Sequence, residues 1–184
     1  AWDVLNTAKV CSSLDEALSD TVLAAAITAR ARDLSHEVFD SRQGAQELCN
    51  HARQHPVALV FGTEMSGLTT LEVSKCQMIV HIPANPDYSS LNLASAVQVM
   101  AYELRMVLPK IEHLPQPMNV PASFDEIELF FRHLEQSMID SGFLDPQEPK
   151  RLLQRMRRLF ARARLEKEEV NILRGILSAL EKRR

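Results

Sequence analysis

Hydrophobic residues in the first part of the chain occur in short uninterrupted runs. The runs Val22–Ile27, Val57–Phe61 and Met78–Ile82 have the length and composition of strands, and the first suits a strand that is covered on both faces. Segments of mixed character separate these runs, and one of them, Gln43–Gln54, is typical of a surface helix. Because strands alternate with helices, the pattern predicts an α/β fold with a parallel sheet.

Three helices in this part of the chain have recognisable starts. Two Ser/Thr-x-x-Glu sequences, at 13–16 and 69–72, have the spacing of capping boxes and predict short helices that Ser13 and Thr69 open, around Leu14–Ser19 and up to Lys75. A longer helix is predicted at Leu91–Leu108. Its apolar residues lie almost all round the helix, so we expect it to be largely buried.

The composition changes after residue 108. Four prolines occur between residues 109 and 123, which predicts a semi-rigid linker. From residue 124 onward the apolar residues recur at helical spacing and predict three helices. The expected organisation is therefore a core at 1–108, a proline-rich linker at 109–123 and a helical extension at 124–184.

Charge divides the chain in a similar way. Residues 150–184 hold twelve of the 21 Lys and Arg residues but four of the 24 Asp and Glu residues, so this tail carries about +8 and the remainder about −11. A basic tail on an acidic body favours a polyanionic partner for the tail. The alternative is that these side chains only solvate surface helices.

Several classes of protein are disfavoured. There is no run of eighteen or more apolar residues and no signal-peptide layout, so neither a membrane span nor secretion is predicted and a cytoplasmic location is expected.

Cys11, Cys49 and Cys76 are too far apart for a zinc site and predict reduced thiols. His51 and His55 have a spacing that could bind a metal, but without a nearby third ligand a solvated helix face is preferred and no metal is expected.

Polar residues follow the predicted strands and open the long helix. The loop Gly62–Gly67 has glycine at both ends, which would let its backbone approach a ligand closely, although it could also be an ordinary turn. It lacks the phosphate-loop and dinucleotide fingerprints. Thr28, Arg30 and Arg32 come at the end of the first strand, where open parallel sheets bind ligands. Ser89, Ser90 and Asn92 either cap the long helix or face a ligand.

Taken together, these segments resemble the second and third motifs of the SpoU branch of the SPOUT RNA methyltransferases. The matching residues, in the order and spacing of the family, are Leu59–Leu68, Ile82–Pro83, Ser89–Gln98 and Tyr102–Glu103. Three further segments, Asn85–Tyr88, Arg157–Arg164 and Asn171–Leu177, are similar to members that methylate the ribose 2′-hydroxyl of position thirty-two in the tRNA anticodon loop, on cytidine or uridine.

The resemblance implies a parallel-sheet methyltransferase domain with a trefoil knot, which binds S-adenosylmethionine and works as a homodimer on tRNA. Glu64, Ser90 and Asn92 would lie near the acceptor ribose. The cofactor contacts would be Ile27, Thr28, Ala29, Gly62, Ile82, Ser89, Ser90 and Leu91. The candidates for RNA contact are Arg30 and the tail residues Arg151, Arg155, Arg157, Arg158, Arg162 and Arg164, although those on the inner side of the helix would instead pack or form ion pairs.

One part of the family pattern has no match. The first motif of the family, an Asn followed by an Arg on an opening strand–helix unit, would precede Ala1, so we expect the domain in this sequence to be N-terminally incomplete. That arginine is the family's proposed base for the 2′-hydroxyl. Its absence keeps open a non-catalytic RNA-binding or assembly protein on the same fold. An enzyme on another nucleotide cofactor is disfavoured by the missing phosphate fingerprints.

Overall fold

The computed structural model describes residues 2–30, 37–111 and 120–182, without the side chains of residues 109–111. Four strands and eight α-helices are present in these ranges, with one short 3₁₀ helix at Pro86–Tyr88. The strands are β1 Leu23–Ile27, β2 Val38–Asp40, β3 Val57–Phe61 and β4 Met78–His81. The helices are α1 Trp2–Thr7, α2 Leu14–Leu18, α3 Ser41–Ala52, α4 Thr70–Lys75, α5 Leu93–Ile111, α6 Phe124–Asp140, α7 Leu152–Ala163 and α8 Lys167–Glu181.

The four strands form one parallel sheet in the order β2-β4-β1-β3. β1 lies inside the sheet, and its first four residues are buried, as its uninterrupted apolar run predicted. Ala24 and Ala26 face a core that contains Leu18 and Phe124, whereas Leu23 and Ala25 face a second core that contains α3 and α5. The prediction of an α/β fold with a parallel sheet is confirmed.

Both short helices predicted from capping boxes are present. The Ser13 hydroxyl accepts a hydrogen bond from the Glu16 backbone N–H at 3.2 Å. The Thr69 hydroxyl accepts one from the Glu72 N–H at 3.2 Å, and the Glu72 carboxylate accepts one from the Thr69 N–H at 2.6 Å. These bonds satisfy backbone donors that the first turn of a helix leaves free.

Two elements were not predicted. Helix α1 has no buried residue, so its sequence lacks the apolar stripe by which a helix is recognised. Strand β2 is only three residues long and lies at the edge of the sheet, paired with β4. Its residues are only partly covered, so they do not form the continuous apolar run of an inner strand.

Helix α5 differs most from its prediction. Over residues 93–108 its buried residues are Ala96, Met100, Glu103 and Val107, which form a single stripe. On the other side Val97, Tyr102, Met106 and Leu108 are between 43% and 55% exposed. The expectation that this helix is largely buried was wrong for the single chain, because its own chain packs against one side only.

The helix α5 also extends beyond its predicted end. It continues to Ile111 and thus includes Pro109, the first proline of the predicted linker. Most of that linker, residues 112–119, lies outside the described part of the chain. The structure resumes at residue 120, and the Ser123 hydroxyl then caps α6.

Helices α6, α7 and α8 pack around their own apolar core of Phe130, Phe131, Leu165 and Val170. This unit is joined to the body by Phe124, which is 2% exposed and belongs to the core beneath the sheet. The Phe124 N–H also donates to the Thr21 carbonyl at 2.7 Å. The helical unit is therefore held against the sheet rather than separated from it.

Two further sequence-based expectations concern membrane-spanning helices and the state of the cysteines. Within the described residues, no helix is both long and apolar enough to cross a membrane. The three cysteines are free thiols, as predicted, and Cys49 and Cys76 are buried. Burial raises the pKa of the Cys76 thiol to about 12, which makes it unreactive at neutral pH.

Candidate active-site cleft

A cleft of about 250 Å³ lies at the edge of the sheet where β1, β3 and β4 end. Parallel strands bring the segments that follow them to one edge, and these segments line the cleft together with the start of α5. The cleft includes all eight residues predicted to contact the cofactor, together with Arg30 and Glu64. Those eight are Ile27, Thr28, Ala29, Gly62, Ile82, Ser89, Ser90 and Leu91.

The loop between β3 and α4 is closed by hydrogen bonds of its own. The Gly67 N–H donates to the Thr63 carbonyl at 2.9 Å, and the Thr63 and Ser66 hydroxyls are 2.8 Å apart. Gly67 has φ +65, in the left-handed region that favours glycine. Glu64 is exposed in this loop and lines the cleft. The sequence therefore places a carboxylate at the cleft on a constrained turn.

Gly62 is required for a reason that the sequence did not predict. A Cβ atom at this position would lie 2.1 Å from the carbonyl carbon of Gly67 and 2.3 Å from the backbone N of Leu68. The close approach is thus between the two ends of the loop and not only between the loop and a ligand. Without a side chain at residue 62 the loop can fold back beside β3.

Two of the residues predicted to lie near the acceptor ribose, Ser90 and Asn92, differ in their position relative to the cleft. Ser90 is exposed and lines the cleft, whereas Asn92 is absent from the cleft lining. The Asn92 side-chain oxygen accepts hydrogen bonds from the N–H groups of Ala94 at 2.9 Å and Ser95 at 3.4 Å. Asn92 therefore caps α5, which is the alternative role that the sequence left open for it.

The cleft has an apolar floor and a polar rim. Ile82 is 9% exposed, and Ile27 and Phe61 pack in the same core. The rim carries the exposed side chains of Arg30 and Glu64, which have opposite charges. Such a surface can hold the flat apolar part of a ligand below and its hydroxyl or charged groups above.

A second cavity, of about 190 Å³, lies between the body and the helical unit. It is lined by the start of β1 at Val22 and Leu23, and is therefore at the opposite edge of the sheet from the cleft. Phe131, Phe160 and Leu165 of the helical unit form its other wall. Neither this cavity nor its lining was predicted from the sequence.

Two of the predicted RNA-binding arginines line this second cavity and are ion-paired within the chain. Arg157 donates two hydrogen bonds to the Glu128 carboxylate, one of them at 2.8 Å, and its guanidinium lies 4.4 Å from the centre of the Phe131 ring. Arg164 pairs with Glu47, and lies 3.8 Å from Glu37. These two side chains have the packing role that the sequence allowed for the inner face of the helix.

The other candidates for RNA contact are arranged differently. Arg30, Arg151, Arg155 and Arg162 are exposed. Arg158 is half-buried, and its Nε atom is buried without a hydrogen-bond partner. Arg32, which was predicted to follow β1, lies outside the described residues. The exposed arginines of α7 and its N-cap therefore lie on the side that faces solvent.

His51 lies beside Glu47, which precedes it by four residues on α3. Its Nε2 lies 3.4 Å from the Glu47 carboxylate. A hydrogen bond to His51 and the nearby charge of Arg164 lower the pKa of Glu47 to about 2, although burial acts in the other direction. Across the described ranges, no group of three metal-ligating side chains occurs.

Comparison with known proteins gives matches to both parts of the chain. A model of the SpoU rRNA methylase family matches residues 1–102, and a model of the C-terminal domain of the tRNA methyltransferase TrmJ matches residues 125–184. A Pseudomonas aeruginosa protein named tRNA (cytidine/uridine/adenosine-2′-O-)-methyltransferase TrmJ is 42% identical over 99% of this chain and 75% of its own length. An Escherichia coli protein named tRNA (cytidine/uridine-2′-O-)-methyltransferase TrmJ is 44% identical over 98% of this chain and 75% of its own length.

The fold is also similar to solved structures. The crystal structure of TrmJ from Z. mobilis ZM4 has a TM-score of 0.83 and 34% sequence identity, and the match covers 97% of this chain and 75% of that one. The similarity includes both the sheet and the helical unit, because it extends over nearly the whole chain.

Proposed function

Because the chain belongs to the SpoU rRNA methylase family, we propose that it is a tRNA 2′-O-methyltransferase that uses S-adenosylmethionine. The observation that carries this proposal is the single cleft formed by all eight motif residues, in a chain 42% and 44% identical to relatives named for that activity. We further propose that it acts on position thirty-two of the anticodon loop, on cytidine or uridine, in the cytoplasm, through a trefoil-knotted domain.

The residues at the cleft fit such a cofactor. Its apolar floor at Ile27, Phe61 and Ile82 suits an adenine ring, and the neighbouring backbone groups can bind the ring edges. Hydroxyls at Ser89 and Ser90 and the carboxylate of Glu64 suit its polar ends. The cofactor supplies an activated methyl group, and the reaction needs no metal.

The main role of the protein in the reaction is to position the acceptor ribose. Ser90 and Glu64 are exposed on two sides of the cleft, where they can bind the ribose and hold its 2′-hydroxyl in line with the methyl donor. Asn92 supports this arrangement from outside by fixing the start of α5. The resemblance assigns deprotonation of the hydroxyl to an arginine of the first motif, which no residue of this chain matches, and Arg30 is not assigned that role.

The homodimer expected from the resemblance has a surface that could form it. The outer side of α5 exposes Tyr102 and Met106 one helical turn apart, and Val97 and Leu108 are also exposed but do not adjoin that pair. Large apolar side chains exposed on a long helix are typical of a surface that another molecule covers. We propose that a second copy of the chain covers it.

The helical unit would bind the tRNA backbone. Arg151, Arg155 and Arg162 are exposed cations along α7 and its N-cap. Lysine and arginine side chains that neutralise phosphates release counterions, so binding should weaken steeply with salt. Arg157 and Arg164 would contribute indirectly, because their ion pairs fix α7 in place.

The test is nucleoside mass spectrometry on tRNA treated with the full-length gene product and S-adenosylmethionine. We expect 2′-O-methylated cytidine or uridine at position thirty-two, and no product when the cofactor is left out. Calorimetry with the cofactor should be run in parallel. If tRNA binds but no ribose is methylated under any condition, the non-catalytic alternative is correct.

A further inference from the structure

A base-binding surface beside the cleft is expected on chemical grounds, if the proposed function is correct. Sequence-tolerant recognition of a single-stranded nucleotide commonly uses an aromatic side chain on which the base stacks. The name of the Pseudomonas aeruginosa relative gives cytidine, uridine and adenosine as the nucleosides that it methylates. Hydrogen bonds to base edges do not suit pyrimidines and a purine equally, whereas stacking does, because every base has a π-face.

Tyr88 is placed to provide this surface. It is 82% exposed and directly precedes Ser89 and Ser90, which line the cleft. It is the last residue of the short 3₁₀ helix, which begins with Pro86. The aromatic ring of Tyr88 is thus exposed to solvent next to the proposed acceptor site.

The backbone that carries Tyr88 is constrained. The Asn85 side-chain oxygen accepts a hydrogen bond from the Asp87 N–H at 3.0 Å. The Asn85 carbonyl accepts one from the Tyr88 N–H at 2.9 Å. Together with the fixed φ of Pro86, these bonds hold the attachment of the ring while the ring itself makes little contact with the protein.

The other exposed aromatic residues in the described ranges are elsewhere. Trp2 is in α1, Tyr102 is on the outer side of α5 and Phe143 follows α6. Like Tyr88, these three do not line the cleft themselves, but unlike Tyr88 none of them is adjacent in sequence to a residue that does. Phe61 does line it but packs in the core beneath. Met65 lines the cleft and is 97% exposed, but it has no aromatic face.

We propose that Tyr88 is the stacking platform for the base of the target nucleotide. Stacking on the ring would orient the nucleotide so that its ribose lies in the cleft at Ser90. The enzyme would then recognise the ribose rather than the edges of the base. The proposal rests on the function proposed above and adds a substrate-binding residue to it.

The first test compares Tyr88→Phe with Tyr88→Ala on tRNAs that carry cytidine, uridine or adenosine at the target position. The phenylalanine variant keeps the ring and should stay within about twofold of the wild type. The alanine variant should lower kcat/KM by roughly 5- to 150-fold, to a similar extent for each base that the wild type methylates. Cofactor affinity should not change. Phe143→Ala, which removes an exposed aromatic ring far from the cleft, is the matched control.

The second test does not depend on methylation. A tRNA with 5-iodouridine at the target position is bound in the presence of S-adenosylhomocysteine and irradiated, and the crosslinked peptide is identified by mass spectrometry. A crosslink at Tyr88 supports the proposal, even if the wild-type protein proves unable to methylate. A crosslink at other residues overturns it.

Two further outcomes would also overturn the proposal. One is an active wild type with Tyr88→Ala indistinguishable from it on all three tRNAs. The other is a defect of Tyr88→Ala that disappears at high protein concentration and is accompanied by a shift from dimer to monomer in sedimentation, since the ring would then belong to a subunit interface.

Discussion

Gly62 shows how a residue that lines the cleft can also be required for the folding of the cleft itself. The loop from Thr63 to Gly67 folds back until its last residue lies against the end of β3, and there is no room between them for a Cβ atom. Glu64 is carried by this loop, so its position depends on the glycine. Gly175, in the middle of α8, has no neighbour within 4 Å of the place where a Cβ would lie.

These two glycines predict opposite results for the same substitution. Gly62→Ala should open the loop and reduce cofactor affinity by about tenfold or more, because the added carbon would lie 2.1 Å from the carbonyl carbon of Gly67 and 2.3 Å from the backbone N of Leu68. Gly175→Ala should stabilise the protein by about 0.5–1 kcal/mol, since glycine in a helix interior is unfavourable relative to alanine. Calorimetry with the cofactor and thermal denaturation of both variants measure the two effects.

Equal cofactor affinity in Gly62→Ala and wild type would show that the loop can rearrange without cost.

At the scale of elements, α7 has two sides with different roles. Arg157 is on the inner side, paired with Glu128, and the two side chains are 19% and 11% exposed. Arg162 is on the outer side and exposed. Arginine content alone does not distinguish these roles, because the pairing partner of Arg157 lies 29 residues away in another helix.

Substitution of each arginine by alanine should separate stability from RNA binding. Arg157→Ala leaves the Glu128 carboxylate buried without its partner and should destabilise the protein by about 2–4 kcal/mol. Arg162→Ala should leave stability within about 0.5 kcal/mol of wild type and reduce the slope of log K against log salt by about one. Urea denaturation and tRNA binding at several salt concentrations are the measurements.

If Arg162→Ala left the salt slope unchanged, while Arg157→Ala reduced it without loss of stability, the assignment of the two sides would be reversed.

At the scale of the whole molecule, the helical unit is joined to the body by Phe124 and by the ion pair of Arg164 with Glu47. Glu47 also bonds to His51, and these two partners lower the pKa of the carboxyl to about 2 from its ordinary value of 4.5. A carboxyl with a lowered pKa stabilises the fold fully above its ordinary pKa. That contribution is lost as the pH falls toward the folded pKa.

Glu47→Gln should therefore lower the melting temperature at neutral pH, and the difference from wild type should shrink between pH 4.5 and about 2. The contribution at neutral pH is on the order of 2 kcal/mol, after allowance for partial exposure of the carboxylate. Thermal melts across this pH range measure it. Glu148→Gln, an exposed position, serves as the control and should follow the wild-type curve; a constant gap between Glu47→Gln and wild type would contradict the linkage.

The exposed apolar side chains of α5 lead to a prediction about dimerisation. Met106→Asp places a charge beside Tyr102 on the exposed side of α5 and should convert the proposed dimer to a monomer, with a loss of cofactor binding if each site is completed across the interface. Sedimentation velocity measures the first effect and calorimetry the second. Leu159→Asp changes an exposed leucine of α7 and should leave the association state unchanged. A wild-type protein that is monomeric at all concentrations would refute the proposal.

The sequence by itself determined most of the strands and helices and eight of the residues that line the cleft. Uninterrupted apolar runs are sufficient to identify strands such as β1 and β3, and capping boxes identify the starts of α2 and α4, because these signals act over a few residues. That the eight residues implied by the resemblance line one cleft was predictable, since the segments that follow parallel strands lie together at one edge of the sheet. Strand β2 and helix α1 carry no such local signal and were missed.

Only the tertiary structure decided what each side chain contacts. It showed that Gly62 faces its own loop, that Asn92 caps a helix, and that Arg157 and Arg164 bind carboxylates far away in the sequence. It also showed that α5 is covered on one side only, although its sequence is apolar almost all round. Periodicity records that a residue prefers to be buried or solvated, but the neighbour that buries or pairs it is set by how distant segments pack.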